Sequence, residues 1–469
     1  MRRTVTGFVA LGAATLFAQV VGFFVLAVIA RRLGPSGLGA FSFALTLTGY
    51  FAIPANFGVT ALATRELAQN PDRMRPLLGE VAAIQAALSL VPYLALVALA
   101  PVLAADDASE ELIPIVGLTF IIEAASLVWV VFARQRFGVA AIGRVVGALT
   151  FAVLVVLFVR DEGDTVALSW IHLAGVGATS VITAIAVLRM TGRPAVGASV
   201  TQLARRFRAG VPLGISGVMI AVYYTVDSLM LGYLESVEDV GQYAVAYKIP
   251  LAVLAFAALW GQVLFPHASA LAKRSRVELR EQLAYFGSLA LVVSLPMVAG
   301  AIIVGDQLIP GLFGAEYEPA ATPFIVLMGV AALVVFTVNW GTAAIAIGDE
   351  RHYAIAVSLG AGLNVAANLV LIPLFGMNGA AAATLGAELV VFVYVLVRVV
   401  RLAGWAPLDL DRIGRAAAST AAMVLVLVLL VPGDWTAGAK VAVGVVVFAG
   451  CALPLRIVQP AEVRALWAR

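Results

Sequence analysis

The chain has 469 residues, of which 62% are hydrophobic and only 12% are charged, with a formal net charge of +3 and a mean hydropathy of +1.02. A soluble domain carries about a quarter charged residues, so this composition excludes an ordinary soluble protein and indicates that lipid surrounds most of the chain. The single cysteine excludes a disulfide framework within the chain, and we expect no nucleic-acid partner.

Long apolar runs predict an all-α membrane protein of about fourteen transmembrane helices. Runs of roughly 20 apolar residues with interior glycine and proline favour helices over the alternating strands of a barrel. A signal peptide is disfavoured, because Arg31 and Arg32 stand where a cleavage site would lie and another apolar run follows. In chain order the predicted spans lie at about 5–30, 40–62, 79–104, 112–133, 140–160, 167–189, 211–233, 241–266, 284–305, 322–347, 353–373, 377–398, 415–432 and 437–455.

The distribution of basic residues predicts that both termini are cytoplasmic. With that orientation 25 of the 30 lysines and arginines fall on the inner side, as the positive-inside rule requires. The loops are short, which excludes a folded soluble domain. In the inner segment 190–210, Leu203 and Phe207 recur at helical spacing among arginines, which fits either a short interfacial helix or an ordinary basic loop.

An internal repeat is indicated by a shift of 202 residues, which aligns the first two spans with the seventh and eighth. Gly12 then meets Gly214, and Gly39 meets Gly241. Because the shift covers an even number of spans, the two bundles have the same orientation, as in many secondary transporters. We predict a first six-helix bundle at 1–200, a second at 201–400, and two additional helices with a cytoplasmic tail at 401–469.

Few ionisable residues fall within the predicted spans. No nucleotide-binding motif is present, so transport must use a gradient or the membrane potential. Charged groups are expensive in lipid, which makes each one a functional candidate. They are Glu123, Asp227, Lys248 and Glu388, with Arg144 near an inner end.

Asp227 and Lys248 flank the short outer hairpin between the seventh and eighth spans, at similar predicted depths. They form either a structural ion pair or a working pair, in which Lys248 contacts an anionic headgroup and Asp227 sets its charge or binds a cation. The amides of Gln19, Asn364 and Asn368 either line a polar cavity or bond neighbouring helices.

Several segments, taken in their order and spacing, resemble a known family. The clearest are Ala30-Arg31-Arg32-Leu33-Gly34-Pro35, Arg65-Glu66, Gly210-Val211-Pro212-Leu213-Gly214, Asp227-Ser228-Leu229-Met230-Leu231-Gly232, Val240-Gly241-Gln242-Tyr243 and Phe375-Gly376-Met377-Asn378-Gly379. They resemble the O-antigen-type polysaccharide or oligosaccharide flippases, whose superfamily also holds the lipid II flippases and the multidrug extruders.

The resemblance implies a multi-pass protein of the cytoplasmic membrane that moves a polyprenyl-diphosphate-linked oligosaccharide to the outer leaflet by alternating access. Lys248 matches a cavity arginine of the lipid II branch, whereas Gln19 and Val25 stand where that branch has arginines, which argues against lipid II as the substrate. The expected partners are the lipid-linked oligosaccharide, membrane lipids and a coupling proton or sodium ion.

We assign no catalytic residue, no metal site and no cofactor. The residues assigned to substrate binding are Lys248, Arg31, Arg65, Arg144, Asn364, Asn368 and Gln19. Those assigned to ion coupling are Asp227, Glu123 and Glu388. Two other functions remain open: a cation-coupled multidrug extruder, and a membrane-embedded glycan polymerase or glycosyltransferase, for which the outer loops are short.

Overall fold

Helices make up the described part of the chain. In the computed structural model the described residues are 2–56, 58–191, 200–405, 408–455 and 457, and no β-strand occurs among them. The predicted all-α fold is therefore confirmed. The α-helices are α1 (Arg2–Asn56), α2 (Val59–Gln69), α3 (Met74–Leu103), α4 (Asp107–Gly117), α5 (Thr119–Ala124), α6 (Val128–Ala133), α7 (Phe137–Phe158), α8 (Thr165–Thr191), α9 (Val200–Leu234), α10 (Val237–Arg274), α11 (Arg276–Phe313), α12 (Ala321–Ala346), α13 (Glu350–Ala403), α14 (Leu410–Leu425) and α15 (Ala437–Ala452).

Apolar surface marks many of these helices as lipid-facing. By length and composition, ten helical segments of the described chain can cross a membrane. Large apolar side chains on them stay exposed, such as Val102 at 79% and Val263 at 76% of their surface. Water disfavours such exposure by about 25 cal/mol per Å² of apolar surface, whereas hydrocarbon does not. The chain is a multi-pass membrane protein.

Helix α1 is too long for one crossing. Its 55 residues would extend about 80 Å at 1.5 Å per residue, against a hydrocarbon core of about 30 Å. The helix is interrupted at Gly34, whose φ of 66° and ψ of 179° fall in a region that is essentially restricted to glycine. The interruption separates the two runs that the sequence predicts at 5–30 and 40–62.

Helix α13 is a helical hairpin that reverses at Gly376. This residue has a φ of 56° and a ψ of −137°, which is not helical. Residues on opposite sides of the bend meet across it: the Asn364 Nδ2 atom donates to Thr384 Oγ1 at 3.2 Å. Close to the bend, a Cβ atom on Gly379 would lie 2.0 Å from the Leu371 carbonyl oxygen. The two limbs correspond to the predicted spans at 353–373 and 377–398.

The predicted span at 112–133 is not one continuous helix. Its backbone forms α4, α5 and α6, with breaks at Leu118 and at residues 125–127. At both breaks the hydrogen bond shortens from a four-residue to a three-residue step, as in Leu118 N–H to Ile115 O (3.1 Å) and Ser126 N–H to Glu123 O (3.0 Å). The second break, at residues 125–127, therefore lies beside Glu123, in the middle of the apolar run.

Two compact units divide the chain, at residues 1–241 and 242–469. Helix α9 belongs to the first unit because it packs against α1, α2 and α3. Since α9 runs without interruption from Val200 to Leu234, the basic segment from residue 200 onward is helical and continues into the following apolar stretch, so it is not an ordinary loop.

Each unit has its own apolar core. In the first, residues from α2, α3, α6 and α8 pack together around Leu77 and Val130, both fully buried. In the second, residues from α10 to α13 pack around Trp340 and Val395. These cores hold the charged and polar side chains described below in defined positions.

The start of α10 approaches α1 closely within the first unit. A Cβ atom on Gly39 would lie 1.7 Å from the Val237 carbonyl oxygen, and one on Gly241 would lie 2.0 Å from the Pro35 carbonyl oxygen. The two backbones can approach this closely only because neither glycine has a side chain. Gly39 and Gly241 are the two glycines that the 202-residue shift aligns.

Candidate functional site

A charged cavity of about 550 Å³ lies in the first unit, where α2, the start of α3 and the start of α9 meet. Helix α2 and the start of α9 fall in segments that the charge pattern places on the cytoplasmic side. The charged residues that line this cavity are Arg65, Arg73, Arg205, Arg206, Glu66 and Glu80. We call it the arginine cavity.

Four of these residues form a closed ion-pair network. The Arg206 guanidinium donates to Glu66 Oε2 at 2.8 Å and to Glu80 Oε2 at 2.7 Å. Arg73 pairs with the other oxygens of the same carboxylates, with Glu66 Oε1 and, at 3.4 Å, with Glu80 Oε1. Each carboxylate thus contacts two guanidinium groups, and the network ties α9 to α2 and α3.

The two remaining arginines of the cavity, Arg65 and Arg205, are exposed and form no ion pair with a described residue. Because the network neutralises its own charges, the cavity keeps an excess of two positive charges. Sequence reasoning identified Arg65 but missed Arg206, Arg73, Glu66 and Glu80. The available signal was the cluster of three arginines between 205 and 208, which also fits an ordinary basic loop.

Arg144, Gln19 and Arg31 lie elsewhere in the first unit. The Arg144 Nη1 atom on α7 donates to Thr15 Oγ1 on α1 at 2.7 Å, and the exposed Gln19 lies one helical turn further along α1. Arg31 is exposed just before the interruption of α1. Its neighbour Arg32 donates to the Val156 carbonyl oxygen near the end of α7 at 2.9 Å. Arg144 therefore links two spans in this conformation.

Asn364 and Asn368 are buried inside the α13 hairpin rather than exposed to a cavity. Asn368 Nδ2 donates to Asn364 Oδ1 at 3.0 Å, and Asn364 bonds Thr384 on the other limb. Glu388 follows Thr384 by one turn and is 4% exposed. The second unit thus contains a polar strip within an apolar hairpin, in which Asn364 bonds the opposite limb and Asn368 bonds Asn364.

The remaining ionisable candidates occupy different environments. Asp227 on α9 is 4% exposed, and its Oδ1 accepts the Ser228 backbone N–H at 2.8 Å. Lys248 on α10 is partly buried and belongs to the second unit, so its pairing with Asp227 stays a prediction. Glu123 on α5 is exposed beside the break in its span. Among the described residues no cluster of histidine, cysteine and carboxylate side chains could hold a metal ion.

Comparison with known sequences identifies relatives over most of the chain. A family profile described as polysaccharide biosynthesis protein matches residues 4–272. The "Probable low-salt glycan biosynthesis flippase Agl15" of Haloferax volcanii is 25% identical over 79% of this chain and 78% of its own length.

Comparison with solved structures identifies proteins of the same fold. The lipid II flippase MurJ in an inward closed conformation has a TM-score of 0.77 at 13% identity, over 96% of this chain and 99% of its own. An inward-facing multidrug resistance MATE family transporter of the MOP superfamily has a TM-score of 0.60 at 17% identity, over 82% and 95%. At these identities the likeness shows the fold alone. The sequence profile covers more than half of the chain, and the protein therefore belongs to the polysaccharide biosynthesis protein family.

Proposed function

We propose that this protein is a flippase that moves a polyprenyl-diphosphate-linked oligosaccharide from the inner to the outer leaflet of the cytoplasmic membrane by alternating access. The observation that carries this proposal is the match to Agl15, which is named as a glycan biosynthesis flippase and aligns over 79% of the chain. The family match and the fold shared with MurJ support it. The protein is accordingly a transporter rather than an enzyme.

The proposed arrangement has fourteen crossings with both termini in the cytoplasm. The ten segments selected by length and composition include α1 and α13 once each and omit α9 and α15. Counting α1 and α13 twice, because each is interrupted at a glycine, and adding α9 and α15 gives fourteen. The contact between Gly39 and Gly241, which the 202-residue shift aligns, supports two parallel bundles at 1–200 and 201–400, followed by 401–469.

The proposed substrate site uses cations for the diphosphate and amides for the sugars. Lys248 is the partly buried cation on α10, and an ammonium within the membrane needs a negative partner. Gln19 replaces a cavity arginine of the lipid II branch, which favours a glycan carrier other than lipid II. The other proposed substrate contacts are Arg31, Arg65, Arg144, Asn364 and Asn368.

A proton or sodium ion is the proposed energy source, bound by Asp227, Glu123 or Glu388. Carboxylates within a membrane are functional candidates, because their charge is costly in lipid. Asp227 and Glu388 are almost fully buried. Glu123 lies beside a helix break, as ion sites of secondary transporters often do. Replacing each carboxylate by its amide is expected to uncouple transport from an imposed gradient. If all three amide variants keep a wild-type response to pH and sodium gradients, coupling lies elsewhere or is absent.

A reconstituted system tests the function. Purified protein in liposomes is expected to accelerate the movement of a labelled polyprenyl-diphosphate-linked oligosaccharide to the outer leaflet, where an impermeant glycosidase cleaves it. Liposomes with heat-inactivated protein are the control. In cells, depletion is expected to trap one lipid-linked sugar on the cytoplasmic leaflet, and its identity names the substrate. A reconstituted protein that moves none of a panel of lipid-linked glycans overturns the proposal.

The fold shared with the MATE transporter favours a second candidate, a cation-coupled multidrug extruder. That function predicts efflux of small organic cations from cells that carry the protein and an unchanged surface glycan after its deletion. Measuring dye efflux and surface glycan in the same deletion strain separates the two candidates.

A further inference from the structure

We propose that the arginine cavity is a binding site for a phosphate-ester anion, held by the guanidinium groups of Arg65 and Arg205. The identification of this anion with the diphosphate of a transported substrate rests on the proposed function. The binding chemistry itself follows from the side chains that line the cavity.

The carboxylates in the cavity are already engaged. Glu66 and Glu80 each contact both Arg73 and Arg206, and the Arg206 contacts, at 2.8 and 2.7 Å, have the length of charge-assisted hydrogen bonds. Releasing either glutamate to neutralise another arginine would leave Arg73 and Arg206 to share a single carboxylate. The network is therefore a fixed, electrically neutral wall of the cavity.

Arg65 and Arg205 supply the unbalanced charge. They lie on α2 and α9, the two helices that Arg206 and Glu66 tie together, so their backbones are held in a fixed relation. A guanidinium presents parallel N–H donors that match the oxygens of a phosphate, and arginine is favoured over lysine for that geometry. Two such groups around one cavity suit a diphosphate or a phosphate with two free oxygens.

The size and position of the cavity fit that ligand. A volume of about 550 Å³ falls within the range of small-molecule sites, about 300 to 1,000 Å³. The cavity is lined by segments that the charge pattern places on the cytoplasmic side, where anionic phospholipids and a lipid-linked substrate both present phosphate. The site therefore collects a headgroup before transport begins.

The test measures binding with the purified full-length protein in nanodiscs. The probe is inorganic pyrophosphate, and its affinity is read by calorimetry and by the rise in melting temperature. The double variant Arg65→Gln/Arg205→Gln is expected to lose affinity by about tenfold or more, because each lost charge-assisted hydrogen bond is worth at least about 1.5 kcal/mol.

The matched control is Arg189→Gln/Arg208→Gln, which removes the same charge from exposed positions on α8 and α9 that do not line the cavity. It is expected to bind pyrophosphate within about twofold of the wild type, apart from a general electrostatic effect that salt screens. Equal loss in both double variants, or no loss in the cavity variant, overturns the site.

Two further arms identify the source of the phosphate. A short-chain prenyl diphosphate that competes with pyrophosphate in phosphatidylcholine nanodiscs points to the substrate. Stabilisation by phosphatidylglycerol nanodiscs that is lost in Arg65→Gln/Arg205→Gln points to a lipid headgroup. If that variant is unstable, Arg65→Lys/Arg205→Lys serves instead, because it keeps the positive charge and removes the paired N–H donors of the guanidinium. Its pyrophosphate affinity is expected to fall as well. An unchanged affinity contradicts the site.

Failure of the proposed function gives a different result. If the wild-type protein binds pyrophosphate through the cavity but flips no lipid-linked glycan, the flippase function is refuted and the binding site stands. The opposite result is also distinguishable. If the variant that lacks both cavity arginines flips substrate at the wild-type rate and affinity and still binds pyrophosphate as the wild type does, the proposed site is refuted and the flippase function stands.

Discussion

At the scale of single residues, Asp349 organises the loop between α12 and α13. Arg398 donates to its two carboxylate oxygens from Nε and Nη2, each at 2.9 Å, and His352 Nδ1 lies 2.7 Å from Oδ1. The hydrogen bonds from Arg398 lower the pKa of Asp349 below its ordinary value; burial opposes that shift and His352 adds to it. The pair closes the open end of the α13 hairpin, because Arg398 lies near its last turn.

The stability of this pair depends on pH. A carboxyl group whose pKa is lowered on folding contributes stability that is present above its ordinary pKa of 3.8 and is lost as the pH falls through the folded value. Asp349→Asn is therefore expected to lower the melting temperature by several degrees at neutral pH, and the difference from wild type should shrink below pH 3.8. Thermal melts in detergent across that range check it.

The control for Asp349 is Asp434→Asn, which changes an exposed carboxylate in the loop before α15. It should melt like the wild type at neutral pH, because this exposed side chain is in no ion pair with a described residue. A gap between wild type and Asp349→Asn that stays constant through acid would contradict the pairing of a charged Asp349.

Lys248 gives two distinguishable mutant patterns. If it contacts the diphosphate, Lys248→Met should insert at the wild-type level and lose flipping, while Lys248→Arg keeps much of it. If it forms a structural pair with Asp227, Lys248→Met and Asp227→Asn should each lower the protein level, and exchanging the two charges should restore level and transport. Membrane protein level and liposome flipping, measured on the same variants, decide between them; we expect the first pattern, and a charge-exchanged protein that transports normally would refute it.

From the sequence alone, a charged residue within an apolar run can be recognised as unusual, whereas its distant partners in the fold cannot be recognised. Lys248 and Glu388 are identifiable because charged residues are rare within apolar runs. Arg206 is not, because its partners Glu66 and Glu80 are 140 and 126 residues away in the sequence. Arg205 and Arg206 differ by about 100° around the helix axis, and only the packing of α9 decides which one meets the carboxylates.

At the scale of helices, the close packing of α1 against α10 at Gly39 and Gly241 predicts that a larger side chain at either position destabilises the protein. Gly39→Ala or Gly241→Ala would place a Cβ atom 1.7 or 2.0 Å from a carbonyl oxygen, so α1 and α10 must separate. Each is expected to destabilise the protein by about 1–3 kcal/mol, as overpacking does. Melting temperature and the amount of folded protein after extraction check this.

Gly177→Ala is the matched control for the packed glycines. It lies within α8, and a Cβ atom there would meet nothing within 4 Å beyond the adjoining backbone of its own helix. Since alanine favours a helix over glycine by up to about 1 kcal/mol, this variant should match or exceed wild-type stability. Equal behaviour of Gly177→Ala and Gly39→Ala would contradict the close approach.

The positions of most helices were predictable, and the exceptions have physical causes. The reversal occurs at Gly376, three residues after Pro373, and this proline and glycine are local signals visible in the sequence. The break at Leu118 follows Gly117 and lies one turn after Pro114, whereas the break at residues 125–127 includes neither glycine nor proline. Only this second break lacks a local signal, and we attribute it to packing, which the apolar run does not record.

At the scale of the whole molecule, the charge distribution makes a topological prediction. Tags after Arg2, within 190–210 and after Arg469 should be accessible only from the cytoplasm, whereas tags near Asp107 and Ser236 should be accessible from outside. Reporter fusions or cysteine labelling check each position. If the tag near Ser236 is accessible from the cytoplasm, the fourteen-span arrangement is contradicted.

The boundary between the two compact units could not be predicted from the repeat. The repeat is an alignment of sequence and begins its second copy near residue 201, whereas the compact units follow contacts and divide at 241. Helix α9 accounts for the difference, because the Arg206 network and packing against α1 attach it to the first unit. Its apolar sequence carries no information about that choice.

The α13 hairpin also has a consequence for biogenesis. Asn364 and Asn368 on one limb, and Thr384 and Glu388 on the other, would each make a solitary helix a poor candidate to leave the translocon for lipid. Released together, the limbs bond Asn364 to Thr384 across the hairpin before lipid surrounds them. Gly376 makes that joint release feasible because it brings the second limb back alongside the first. Arrest of synthesis shortly after residue 376 should therefore leave the first limb held at the translocon, and extension through the second limb should free both.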